Sequence, residues 1–272
     1  MKKIILCDGD SWTAGDIVDP NIFGDKLEHV NHPKNTEYRL PRVWPGKLEK
    51  LIGIETDNIS IAGSSNDAIV RRTLRRVIQL LETYKPEEIF VIIGWSSPER
   101  KDFYYNGKWE SWETLYPAQL SQDFPDMRLK NFYEIYLDIF WNEEEYIERY
   151  IQQNLLLHHF LNSHNIKHLF FDAFYEKEDG MFKDVDIEET FYNFHSLRSD
   201  KIGGDRIREL EFSGNKYLID EFLKLREKIF KKESFRRYIG FKDMKLWDGV
   251  HPSEEAHEKW AQELNRELRG KI

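Results

Sequence analysis

The stretch KIILCDGDS, residues 3–11, decides how the chain is read. An apolar run, Lys3–Cys7, ends abruptly in acid, glycine, acid and serine. The run is short and continuous rather than alternating, as in a strand covered on both faces of a parallel sheet. Three more runs share that character: Asn58–Ala62, Ile89–Gly94 and Lys167–Ala173. Helical periodicity fills the gaps between and after them, at Pro41–Ile52, Ser65–Tyr84, Asn142–Ser163, Tyr217–Phe230 and Ser253–Leu268. Each places apolar residues on one face, as Val70, Leu74, Val77 and Leu81 do in the second. Strands alternating with helices predict an α/β domain built on a parallel sheet.

The chain has 272 residues, 40% hydrophobic and 14% aromatic, enough for one large core. We expect a single domain over 1–272, with insertions at about 101–141 and 176–215, where aromatics such as Phe103, Tyr104, Trp109 and Trp112 follow no clean period. Insertions of this kind often cover binding sites. The formal charge of -9 argues against nucleic acid as a partner. The basic stretch Arg71–Arg76 reads as a solvated helix face. Cys7 is the single cysteine, so no internal disulfide forms, and it reads as a small buried hydrophobe. The N-terminal apolar run is too short for a signal peptide, and no segment has the length of a membrane span. The expectation is a cytoplasmic protein without membrane contact; the sequence is silent on its oligomeric state.

In an open α/β sheet, ligands bind beyond the carboxyl ends of the strands. Three polar turns fall there: Asp8-Gly9-Asp10-Ser11, Gly63-Ser64-Ser65-Asn66 and Gly94-Trp95-Ser96-Ser97. A fourth segment, Asp248-Gly249-Val250-His251, precedes the last helix. An aspartate three residues before a histidine can orient the imidazole, whose free nitrogen then takes a proton from a hydroxyl. Ser11 supplies a hydroxyl at the end of the first strand.

These blocks together resemble the SGNH (GDSL-type) hydrolase superfamily. Gly9-Asp10-Ser11 is similar to its first block, Gly63 to the glycine of the second, and Asp248-x-x-His251 to the fifth. The resemblance implies a three-layer, flavodoxin-like parallel sheet with helices on both faces. It implies a serine esterase or acylhydrolase needing no cofactor, with Ser11, Asp248 and His251 as catalytic triad. Its substrate is then a small-molecule or carbohydrate ester. The stretch Gly94–Arg100 is also similar to that of bacteriophage-encoded members.

One block departs. The family's third block is usually Gly-x-Asn-Asp, and this chain has Ser96 where that asparagine would stand. The implied oxyanion hole therefore combines the Ser11 and Gly63 backbone N–H groups with a side chain from Asn66 or Ser96. Asn66 is favoured because its amide is longer and better directed. Trp12, Trp95 and Arg100 flank these turns and are candidate substrate contacts, although Arg100 reads equally as a salt-bridge partner. Asp8 reads as a strand-end acceptor of backbone hydrogen bonds.

Two alternatives stand beside the esterase. Asp8-Gly9-Asp10 suggests a magnesium-dependent phosphatase, although Trp12 and the lack of a late acidic pair fit that poorly. The missing asparagine suggests a binding protein on the same scaffold without turnover. His158, His159, His164 and His168 invite a metal site, but their spacing fits none, and no metal is expected.

Overall fold

In the computed structural model, the described residues are 2–24, 30, 32–105, 107–112, 127–140, 143–173, 216–231, 233–241 and 251–272. Strand β1 is Ile4–Asp8, buried along its whole length. Helix α1 (Ser11–Ala14) follows at once, then α2 (Pro20–Phe23), α3 (Pro33–Arg39) and α4 (Trp44–Ile52). Strand β2 (Glu55–Asn58) leads to α5 (Asn66–Leu81) and then to β3 (Ile89–Trp95). A hairpin, β4 (Lys101–Tyr105) with β5 (Lys108–Trp112), comes next. Helices α6 (Met127–Ile135) and α7 (Glu143–Ser163) precede β6 (Lys167–Asp172). The chain then describes α8 (Lys216–Ile229), α9 (Phe235–Phe241) and α10 (Glu254–Leu268).

The main sheet has the order β2-β1-β3-β6, with every pair parallel. Beyond β6 the chain returns after α8, and Phe230 bridges Phe170 in parallel, extending the sheet edge by one position. The result is the doubly wound, flavodoxin-like succession, with its switch point between β1 and β3. Successive side chains of β6 show why both faces are covered. Phe170 meets Trp95 on one face, and Trp95 meets Tyr150 of α7. Phe171 meets Trp44 of α4 and Trp260 of α10 on the other. Helices α4 and α10 therefore cover one face, and α5, α7 and α8 the other.

Two expectations change. The second strand is Glu55–Asn58, ahead of the apolar run at 58–62. It is an edge strand, half-exposed, so its polar residues suit it; Ile59 and Ile61 continue past it, donating their N–H groups to Cys7 O and Gly9 O. The first part of the 101–141 segment is a regular antiparallel hairpin, not an aperiodic loop. The expected insertion at 176–215 lies outside the described residues.

Candidate active site

Asp8 ends β1, and the chain turns sharply into α1. Gly9 makes the turn possible: a Cβ there would sit 2.3 Å from Thr13 Oγ1 and 2.9 Å from Gly94 O. Asp10 caps α1, accepting the Trp12 N–H at 2.9 Å. Ser11 is the first helical residue, 4% exposed, at the carboxyl end of the sheet.

His251 reaches the same place from the other end of the chain. It stands just ahead of α10, whose N-cap Ser253 accepts the Ala256 N–H. Helix α10 is fixed on α4 by Lys47–Glu254 at 2.7 Å and by the Trp44 N–H on His257 Nδ1 at 3.3 Å. In that position His251 Nε2 lies 3.2 Å from Ser11 Oγ, across 240 residues of sequence. The same nitrogen lies 3.0 Å from Asp16 Oδ2. Asp248 belongs to 242–250, outside the described residues.

Asp16 is the residue that sequence reasoning missed. It follows the α1 C-cap, Gly15, whose N–H returns to Ser11 O at 2.7 Å and whose φ of 75° bends the chain back toward the serine. No sequence pattern marked it, because the return of the chain depends on the left-turning Gly15 that only the structure shows.

The other site candidates are placed differently from one another. The Ser96 hydroxyl donates to Asp10 Oδ2 at 2.7 Å. Asn66 accepts the Ser96 N–H at 2.9 Å, and its amide donates to Ser96 O at 3.0 Å and Ser97 O at 3.5 Å. Both side chains are thus committed to holding the turn after β3. This corrects the expectation of Asn66 or Ser96 as an oxyanion donor: their hydrogens are directed elsewhere. Gly63 lies on the turn after β2, where a Cβ would meet nothing within 4 Å, so its surroundings are open.

Trp12 and Trp95 are core residues, not cleft walls. Trp12 packs edge-on against Phe235, and Trp95 against Tyr150 and Phe170. Burial removes them as substrate contacts. Arg100 takes the salt-bridge role: its Nη1 lies 3.2 Å from Asp10 Oδ2 and 3.1 Å from Ser96 Oγ.

Asp8 and Asp10 are both fully buried, and each faces its own arginine. Asp8 Oδ1 accepts from Gly9 N and Arg72 Nη2, and its Oδ2 from Thr73 Oγ1. Burial pushes the Asp8 carboxyl up to about 6, against the opposing pull of Arg72. Burial likewise raises Asp10, against Arg100 and the Ser96 hydroxyl. These commitments disfavour the phosphatase reading, which needs the pair turned to a shared cation. They also correct the view of Arg71–Arg76 as a solvated face: Arg72 pairs with Asp8, Arg76 with Asp57, and Arg71 with Asp102.

Among the described residues no group of three metal-ligating side chains exists. His158 Nδ1 instead faces His168 Nε2 at 2.8 Å, and His168 Nδ1 faces Ile166 O. No described helix is long and apolar enough to cross a membrane.

The fold and site define an α/β protein with a serine–histidine pair beyond the carboxyl ends of a parallel sheet. Solved structures of lipolytic proteins match nearly the whole chain at low identity. A lipase/acylhydrolase from Enterococcus faecalis is 16% identical, over 99% of this chain and 96% of that one, with a TM-score of 0.44. A member of the lipolytic G-D-S-L family from Veillonella parvula is 12% identical, over 98% and 99%, with a TM-score of 0.45. A GDSL-like lipase from Bacteroides thetaiotaomicron is 12% identical, over 99% and 89%, with a TM-score of 0.45. No curated protein matches in sequence. The chain belongs to a family of unknown function, DUF6071, whose model matches residues 25–207. Ser11, Asp248 and His251 all lie outside the matched span.

Proposed function

We propose that this protein is a serine hydrolase that cleaves an ester or O-acyl group on a small molecule or carbohydrate. The observation that carries the reading is the 3.2 Å approach of His251 Nε2 to Ser11 Oγ. That distance suits proton transfer from the hydroxyl as it attacks a carbonyl. The same reading gives Asp248 the task of orienting the ring. The oxyanion is held by backbone N–H groups: Ser11 heads α1, where no helical carbonyl takes its N–H, and Gly63 stands on the open turn after β2. The acyl-enzyme is then released by water, with His251 repeating its two proton transfers. No cofactor takes part in these steps.

The test is labelling with a fluorophosphonate, with turnover measured on p-nitrophenyl acetate and a panel of acylated sugars. Wild-type protein should label and turn over; Ser11→Ala should do neither, with at least a thousand-fold loss as an order of magnitude (~10³ or more). Unlabelled wild-type protein would point to the binding scaffold instead.

A further inference from the structure

His251 Nε2 has two neighbours on one edge: the Ser11 hydroxyl at 3.2 Å and the Asp16 carboxylate at 3.0 Å. A serine–histidine pair alone does not call for the second. We propose that Asp16 is a positioning residue that holds the protonated ring of His251 by its serine-facing nitrogen, making the ring a stronger base. The inference rests on the hydrolase reading for its chemical step, but the pair itself stands on geometry.

Two further observations support it. The side chains of His251 and Asp16 are only 17% and 14% exposed, so water screens the contact weakly. Asp16 Oδ1 is buried and accepts no hydrogen bond among the described residues. The carboxylate's charge is therefore poorly spent on other partners, and a proton on Nε2 is what it is placed to meet.

The chemistry follows in order. Ser11 Oγ gives its proton to Nε2 as the Oγ–C bond forms and the carbonyl electron pair moves to oxygen. At that moment Nε2–H faces Asp16 Oδ2, so the new positive charge is stabilised where it appears. The proton then passes to the departing alcohol oxygen as the C–O bond breaks.

The surrounding charges set the size of the effect. Asp10, on the same turn as Ser11, also lies close enough to favour the charged ring, although Arg100 offsets it. His257 of α10 faces His251 as well, but burial holds it neutral, pushed down to about 3. Arg39 of α3 lies near Asp16 and competes for its charge. The charge of Lys47 of α4 also lowers His257.

The experiment is an NMR titration of the His251 ring in wild-type protein, Asp16→Asn, Asp16→Ser and Asp16→Glu, alongside the pH profile of kcat/KM. Loss of the carboxylate should lower the ring's titration midpoint by about one pH unit, and the acid limb of kcat/KM should move down with it. Asp16→Glu, which keeps the charge, should stay near wild type. A merely structural role would change amplitude and stability but leave the midpoint in place. Unchanged midpoints in both neutral variants would overturn the proposal. A shifted midpoint in a protein that neither labels nor turns over would uphold the pair and remove the hydrolase reading.

Discussion

Asn66 spends its whole side chain on the turn after β3, accepting the Ser96 N–H and donating to the Ser96 and Ser97 carbonyls. Asn66→Ala leaves those buried groups without partners. We expect it to cost about 2–3 kcal/mol of stability, read by urea unfolding. Arg100→Met should cost more, about 3–5 kcal/mol, because Asp10 would keep a buried charge with no cation. If either variant unfolds like wild type, the turn is not held as described. The approach of Ser11 to His251 was legible in the sequence because a serine after a strand and a histidine before a helix bring a hydroxyl and an imidazole to one end of the sheet. Asp16 was not, because a lone aspartate after a glycine carries no pattern until the chain bends it back. The fates of Trp12, Trp95, Asn66 and Ser96 were also hidden, since residue type alone does not say whether a side chain faces a cleft or the core.

The β4–β5 hairpin is held to α5 by one carboxylate. Asp102 accepts from Ser65 Oγ, the α5 N-cap, at 2.5 Å and pairs with Arg71, whose guanidinium lies over the Trp109 ring at 4.1 Å. On its other side Phe103 meets Phe132 and Tyr136 edge-on. The hairpin thus docks where α5 begins, at the carboxyl ends of the strands, and we expect it to limit the size of acyl or sugar groups reaching Ser11. Asp102→Ala should destabilise the protein by about 1–3 kcal/mol. It should also speed limited proteolysis between residues 101 and 112, and shift preference among esters more than it changes turnover of p-nitrophenyl acetate. An unchanged cleavage rate and unchanged preference would separate the hairpin from the site. Its aromatics concealed the strands in the sequence: Phe103, Tyr104 and Tyr105 are consecutive, so both faces are apolar and the period of two disappears. Strand β2 was concealed for the opposite reason, as an edge strand with too few apolar residues to stand out.

The buried main strands β1, β3 and β6 were legible as apolar runs, and five helices as amphipathic ones, because one core takes apolar side chains from all of them. The sheet order was not legible from those runs; it came with the family resemblance, since strand periodicity says nothing about which neighbour a strand chooses. Nor was the cost of packing three histidines in or beside that core. Burial pushes His257 down to about 3 and His158 to about 4, the latter helped by His168 and His159, and it lowers His168 as well. A base depressed in the folded state favours folding fully above its unfolded value near 6.5, and that contribution is lost as pH falls toward the folded value. Asp8, raised to about 6, works the other way, its contribution weakening as pH rises from about 4 to 6. Asp10, also raised by burial, works in the same direction as Asp8. Among these groups the three lowered histidines outweigh the two raised carboxylates and leave a net loss of stability on acidification from pH 7 to 5, each fully titrating site contributing at most about 1.4 kcal/mol per pH unit. His257→Gln isolates the deepest of them. Glutamine does not titrate, and its carbonyl can accept the Trp44 N–H that now meets His257 Nδ1. Urea unfolding at pH 7, 6 and 5 should show a smaller loss in His257→Gln than in wild type. Equal losses in the two proteins would mean that His257 takes up its proton without opening the α4–α10 contact.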